Sequence, residues 1–235
     1  MNNVCVCNNY CVNSQNMHNP NFTGIDRIKS ADGLRLVSDA KKSCIEALRS
    51  NKPFERGILI ETKSESIVSS ADGTKTDVPV KIPFSLFKTH DYSLIHGHTT
   101  LTDKKGGKYT LPVSFTDFEL MNNNKELSEV IAINEHGKET ILEKTEKFRT
   151  LKETQIDELK KQYLKAMYDN LCTDSEKAKI KSIYEYTLEH PDTPVLKQNL
   201  INKLLDKQYS EEGGNVITRF FRDVADKIGL KFTEK

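Results

Sequence analysis

His96-Gly97-His98 places two imidazoles one residue apart, after what reads as a short strand from Tyr92 to Ile95. Alternate side chains of an extended chain point to the same side, so both rings can reach one metal ion. Downstream, Ser114-Phe115-Thr116-Asp117 offers a hydroxyl and a carboxylate at a helix start. If Asp117 supplies a third ligand, one coordination position is left for water. That is the arrangement of a catalytic zinc rather than a structural one, and the chain is then a metal-dependent hydrolase. Each fragment also has a plainer reading. A His-x-His pair is often incidental. Ser-x-x-Asp before an apolar helix is a capping-box variant, with Ser114 at the N-cap and Asp117 at N3. Glu55 can be read as a polar residue at a helix-to-strand corner.

The elements that must position these groups follow from periodicity. From Ser30 onward, Leu34, Val37, Ala40, Cys44, Ile45 and Leu48 fall at helical spacing, and Lys52-Pro53 ends that helix. Arg56 to Thr62 reads as a buried strand, followed by Glu65 to Ser70, a turn at Ala71-Asp72-Gly73-Thr74, and a further extended piece from Val78 to Ile82. Tyr92 to His98 is another strand, and residues 102–108 form a polar, glycine-containing surface loop. Ser114 opens a helix to about Met121, closed by Asn122 to Asn124. Val130 to Asn134 and Glu139 to Glu143 alternate around a turn at Glu135-His136-Gly137-Lys138 and predict a hairpin. Beyond about Lys147 the patterns are helical, at roughly 152–171, 174–189, 193–207 and 215–228, with Gly213-Gly214 as a break. The expected organisation is a flexible leader over 1–22, an α/β core over 23–147 and a helical extension over 148–235.

The 235 residues suffice for one well-buried domain with a smaller appendage, and the net charge of +1 argues against a surface built for a polyanion. Lys and Arg balance Asp and Glu in the C-terminal segment, which carries no nucleic-acid footprint. No apolar run reaches the length that spans a bilayer, and the N-terminus lacks a signal-peptide pattern. The expectation is a soluble, cytoplasmic protein with no membrane or nucleic-acid partner. The five cysteines are an odd set without a secretory signal, which disfavours a disulfide framework. Cys5, Cys7 and Cys11, with His18 beyond, could form a second metal knuckle. The usual paired spacing is absent, however, and the polar composition suits a flexible leader.

Taken together and in order, these pieces resemble the JAMM metalloproteases, also called MPN+ domains (JAB-like). The resemblance runs from about Asp32 to Lys144. It rests on Lys52-Pro53-Phe54-Glu55-Arg56-Gly57-Ile58-Leu59-Ile60, Ile95-His96-Gly97-His98, Pro112-Val113-Ser114-Phe115-Thr116-Asp117-Phe118, and the hairpin 129–142. Thr99 stands where that family usually has proline, and the gap from His98 to Ser114 is longer, with the 102–108 loop absorbing the excess. The resemblance implies an α/β fold: a JAMM/MPN-like (cytidine-deaminase-like) mixed sheet flanked by helices. It implies zinc held by His96, His98 and Asp117, with Glu55 as the base and Ser114 as a donor to the developing oxyanion. Glu61, at the other end of the same strand, is the reserve candidate for the base. His90 is read as a surface residue, with support of the metal ligands from behind as the alternative, His136 as solvated, and Phe84, Phe87, Phe115 and Phe118 as core.

The expected activity is that of a zinc metallopeptidase or isopeptidase acting on a protein or peptide, ubiquitin-like conjugates among the substrates the family implies. A non-catalytic MPN-like scaffold is the alternative. Metal-dependent nucleic-acid hydrolysis is disfavoured by the balanced charge.

Overall fold

The computed structural model describes residues 24–83, 90–102, 106–189, 198–199, 202–204 and 206–235. Cys5, Cys7, Cys11, His18, Phe84, Phe87 and most of the expected 193–207 helix lie outside them. The first helix, α1 (Ala31–Leu48), starts where Ser30 Oγ accepts the Gly33 N–H at 2.9 Å. It buries Val37, Ala40, Cys44, Ala47 and Leu48, whereas Leu34 is 55% exposed and does not join that face.

Strands β1 (Arg56–Glu61), β2 (Ser66–Asp72) and β3 (Tyr92–Gly97) come next, then a two-stranded pair, β4 (Leu101–Thr102) with β5 (Lys108–Tyr109). The expected loop over 102–108 is thus flanked by paired strands. Helix α2 (Phe115–Asn123) leads to β6 (Leu127–Ile133) and β7 (Glu139–Lys144), which form the expected antiparallel hairpin. Helices α3 (Glu153–Leu171), α4 (Asp174–Glu189) and α5 (Glu211–Val224) precede a last strand, β8 (Leu230–Glu234). The six-stranded sheet has the order β2-β1-β3-β6-β7-β8. Among the described residues only β3 and β6 run parallel within it, joined by the crossover that carries α2. The chain is therefore α/β, with a mixed sheet flanked by helices.

The two faces follow the two-residue period of the strands. Ile58, Ile60, Ile95, Ile131, Ile133 and Ile141 pack with Val37, Ala40 and Cys44 of α1. Leu59, Leu94, Val130, Ala132 and Leu142 face the other way, onto Phe115, Phe118 and Met121 of α2. The second cluster continues into Tyr163 and Met167 of α3 and Val216, Ile217, Phe220 and Phe221 of α5.

Three expectations are corrected. The 148–235 segment is not helical throughout, because β8 pairs with β7 and extends the sheet. Its five residues are too few to oppose the helical signal before them. Gly213-Gly214 is no break but part of α5, capped by Ser210 Oγ on the Gly213 N–H at 2.9 Å. A Cβ at Gly213 would stand 2.3 Å from the Gln208 carbonyl oxygen, so glycine serves a close approach there. Val78 to Ile82 forms no strand; it is a strap whose Val80 and Ile82 pack on the core. The bare Cα of Gly57 admits it, since a Cβ there would meet Val80 Cγ2 at 2.2 Å.

Candidate metal centre

His96 shares the parity of Leu94 and so faces α2, and His98 follows two residues later on the same side. Gly97 between them faces α1. The ring centroids of His96 and His98 lie 4.5 Å apart at an interplanar angle of 84°. Asp117 approaches from the first turn of α2. His96, His98 and Asp117 are all buried and each offers a ligand atom within 4.8 Å of the others'.

The capping box locks Asp117. Ser114 N and Ser114 Oγ donate to Asp117 Oδ2 at 2.6 and 2.9 Å, and Asp117 N donates back to Ser114 Oγ at 3.3 Å. With Oδ2 engaged, Oδ1 faces His96 Nε2 at 3.3 Å. That approach is not aligned as a hydrogen bond, and both ring nitrogens of His96 are buried without a hydrogen-bond partner among the described residues. Orphaned buried imidazole nitrogens are unfavourable unless something else meets them. Together with a carboxylate and a second imidazole they form a donor set suited to a divalent metal. His98 Nδ1 lies 2.8 Å from the Leu111 carbonyl oxygen. A carbonyl only accepts, so the ring carries its proton on Nδ1 and leaves Nε2 bare.

The strand register selects the nearby carboxylate. Gly57 is opposite His96 in the antiparallel pairing, which puts Glu55 level with His98 and on the α2 face. Thr99 N donates to Glu55 Oε1 at 3.4 Å. Glu61 pairs with Tyr92 instead. Four residues along a strand remove it from the Gly57 level by about 13 Å. It is taken up locally, by the Ser64 N–H and by His90 at 3.9 Å. His90 itself stacks on Tyr92 at that far end, and His136 is exposed in its turn.

Electrostatics separate the groups. Burial pushes the Glu55 carboxyl up to about 7, with Asp117 and Asp77 adding to the rise and His96 and the Thr99 N–H opposing it. Burial pulls His98 down to about 4, helped by the neighbouring His96. Burial alone would lower His96 too, but the charges of Asp117 and Glu55 outweigh it and raise its pKa. Burial of Asp117 is likewise overcome, chiefly by His96 and then by His98 and Ser114, so its carboxyl sits well below the usual range.

Two participants were invisible in the sequence. The Leu111 carbonyl is main chain and carries no residue signature. Thr140, whose Oγ1 accepts the Val113 N–H at 2.8 Å, sits on a strand where any β-branched residue would fit the pattern. A cleft of about 280 Å³ lies beyond the 109–112 segment, lined among others by Asn134, Lys138, Asn215 and Thr218. Among the described residues no helix is long and apolar enough to cross a membrane. The chain matches no protein-family model, no curated protein and no solved structure.

Proposed function

We propose that this chain is a zinc-dependent metallopeptidase or isopeptidase of the JAMM/MPN type. The observation that carries the reading is one buried cluster: His96, His98 and Asp117 within 4.8 Å of one another, with Glu55 beside them at a pKa of about 7. Helix, strand, His-x-His, capped helix and hairpin follow each other around a mixed sheet in the order the resemblance implies, which adds support.

His96, His98 and Asp117 would hold the metal. Zinc bound there supplies a water acidic near pH 7 and a Lewis acid that polarises the scissile carbonyl. Glu55 is a carboxylate whose pKa near neutrality suits it to collect a proton and deliver it to the leaving amine. His98 remains neutral, its Nδ1 proton held by Leu111. Ser114 keeps Asp117 oriented through Oδ2. To donate to an oxyanion as well, its hydroxyl must turn away from Asp117, because it has a single proton.

The test is bound metal by elemental analysis in the wild type and in His96→Ala/His98→Ala, followed by hydrolysis assays with peptide and isopeptide substrates. About one zinc per chain, lost in the double variant, supports the reading. No metal after zinc reconstitution sinks it and leaves a non-catalytic scaffold.

A further inference from the structure

We propose that Thr140 is a positioning residue for the metal centre, holding His98 and Asp117 in place through the segment that connects their supports. The inference rests on the metal reading of the site. Residues 111–114 form the back of the ligand set. The Leu111 carbonyl takes the His98 Nδ1 proton at 2.8 Å. Ser114 N and Oγ hold Asp117 Oδ2 at 2.6 and 2.9 Å. Between these two supports, the Val113 N–H donates to Thr140 Oγ1 at 2.8 Å in a fully buried bond.

Thr140 stands opposite Ala132 on β6, and Ala132 stands opposite His96 on β3. The hydroxyl therefore ties the connecting segment to the same sheet that carries His96 and His98. Val113 is 0% exposed, so its N–H cannot turn to water when the acceptor is removed. A valine at 140 keeps the shape and the strand preference but leaves that donor unsatisfied. The segment then has reason to move. Any movement displaces the Leu111 carbonyl from His98 and the Ser114 cap from Asp117 together. Loss of the groups that orient metal-binding side chains typically lowers metal affinity about 10–100-fold.

The test measures zinc affinity by chelator competition, and the Co²⁺ absorption spectrum, for wild type, Thr140→Val and Thr140→Ser. Thr62→Val serves as the control for loss of a buried threonine hydrogen bond away from the site, Thr62 Oγ1 to the Asp91 carbonyl at 3.1 Å, just past the far end of β1. The expected result is a drop of about 10–100-fold in Thr140→Val with an altered Co²⁺ spectrum, recovery in Thr140→Ser, and wild-type affinity in Thr62→Val. Unchanged affinity in Thr140→Val, or an equal loss in Thr62→Val, overturns the inference while leaving the metal reading intact. A wild type that binds no zinc overturns the metal reading and this inference with it. If Thr140→Val does not fold, Thr140→Ala is read by the same criteria.

Discussion

Gly97 meets Leu48 where the sheet packs on α1: an added Cβ would stand 3.1 Å from Leu48 Cγ and 3.2 Å from each of its methyl carbons. The residue between the two histidines thus packs directly against the helix. Gly97→Ala is expected to displace the Leu48 side chain by a few tenths of an ångström and to lower stability by about 1 kcal/mol, at the low end of overpacking. Because both neighbours belong to the proposed ligand set, zinc affinity should fall with it. Urea unfolding of the metal-free chain and a zinc titration check the two effects separately.

Glu55, one residue before β1, and Glu61, at its end, share one face; the pairing of Gly57 with His96 sets Glu55 level with His98, whereas Glu61 pairs with Tyr92. Glu55→Gln is expected to retain zinc and lose about 10²–10⁴-fold in turnover. Glu61→Gln should leave both unchanged. Equal losses in the two variants would contradict the assignment of Glu55 as the base.

Ser114 both caps α2 and holds Asp117 Oδ2. Ser114→Ala should lower stability by about 0.5–2 kcal/mol, as the loss of an N-cap does, and weaken zinc binding because Asp117 is no longer fixed. A variant with undiminished zinc affinity and slower turnover would assign the hydroxyl to the oxyanion instead. Calorimetry and single-turnover kinetics separate these outcomes.

The pH dependence of stability has a source outside the candidate metal site. Burial pushes the Glu129 carboxyl on β6 from 4.5 up to about 7, helped by Glu143 and Asp26 and opposed by the Ile25 N–H. The folded pKa is above the unfolded one, so the stability of the neutral acid is complete below about 4.5 and is lost as pH rises through 7. Lys144 acts in the opposite sense. Burial lowers its pKa from 10.5 to about 7, so its contribution is lost as pH falls through 7. Denaturant unfolding of the metal-free wild type and Glu129→Gln should show the stability difference changing by about 2 kcal/mol between pH 5 and 7. A constant difference would mean that Glu129 is ionised in the fold at both pH values.

What the sequence determined alone is local. Two histidines at strand spacing share a face whatever packs on them, and Ser114 with Asp117 closes a capping box inside one helical turn. Helix α1 and the β6–β7 hairpin were legible for the same reason: their signals lie within a few residues. Tertiary structure decided what depends on register and on distant chain. Periodicity puts Glu55 and Glu61 on one face, and only the pairing of Gly57 with His96 brings Glu55 to the site. The strand β8 is too short to announce itself and exists through its ladder with β7. Thr140 and the Leu111 carbonyl enter the site because separate strands and a connecting segment converge there. Hydrogen bonds between residues far apart in sequence leave no periodic trace in it.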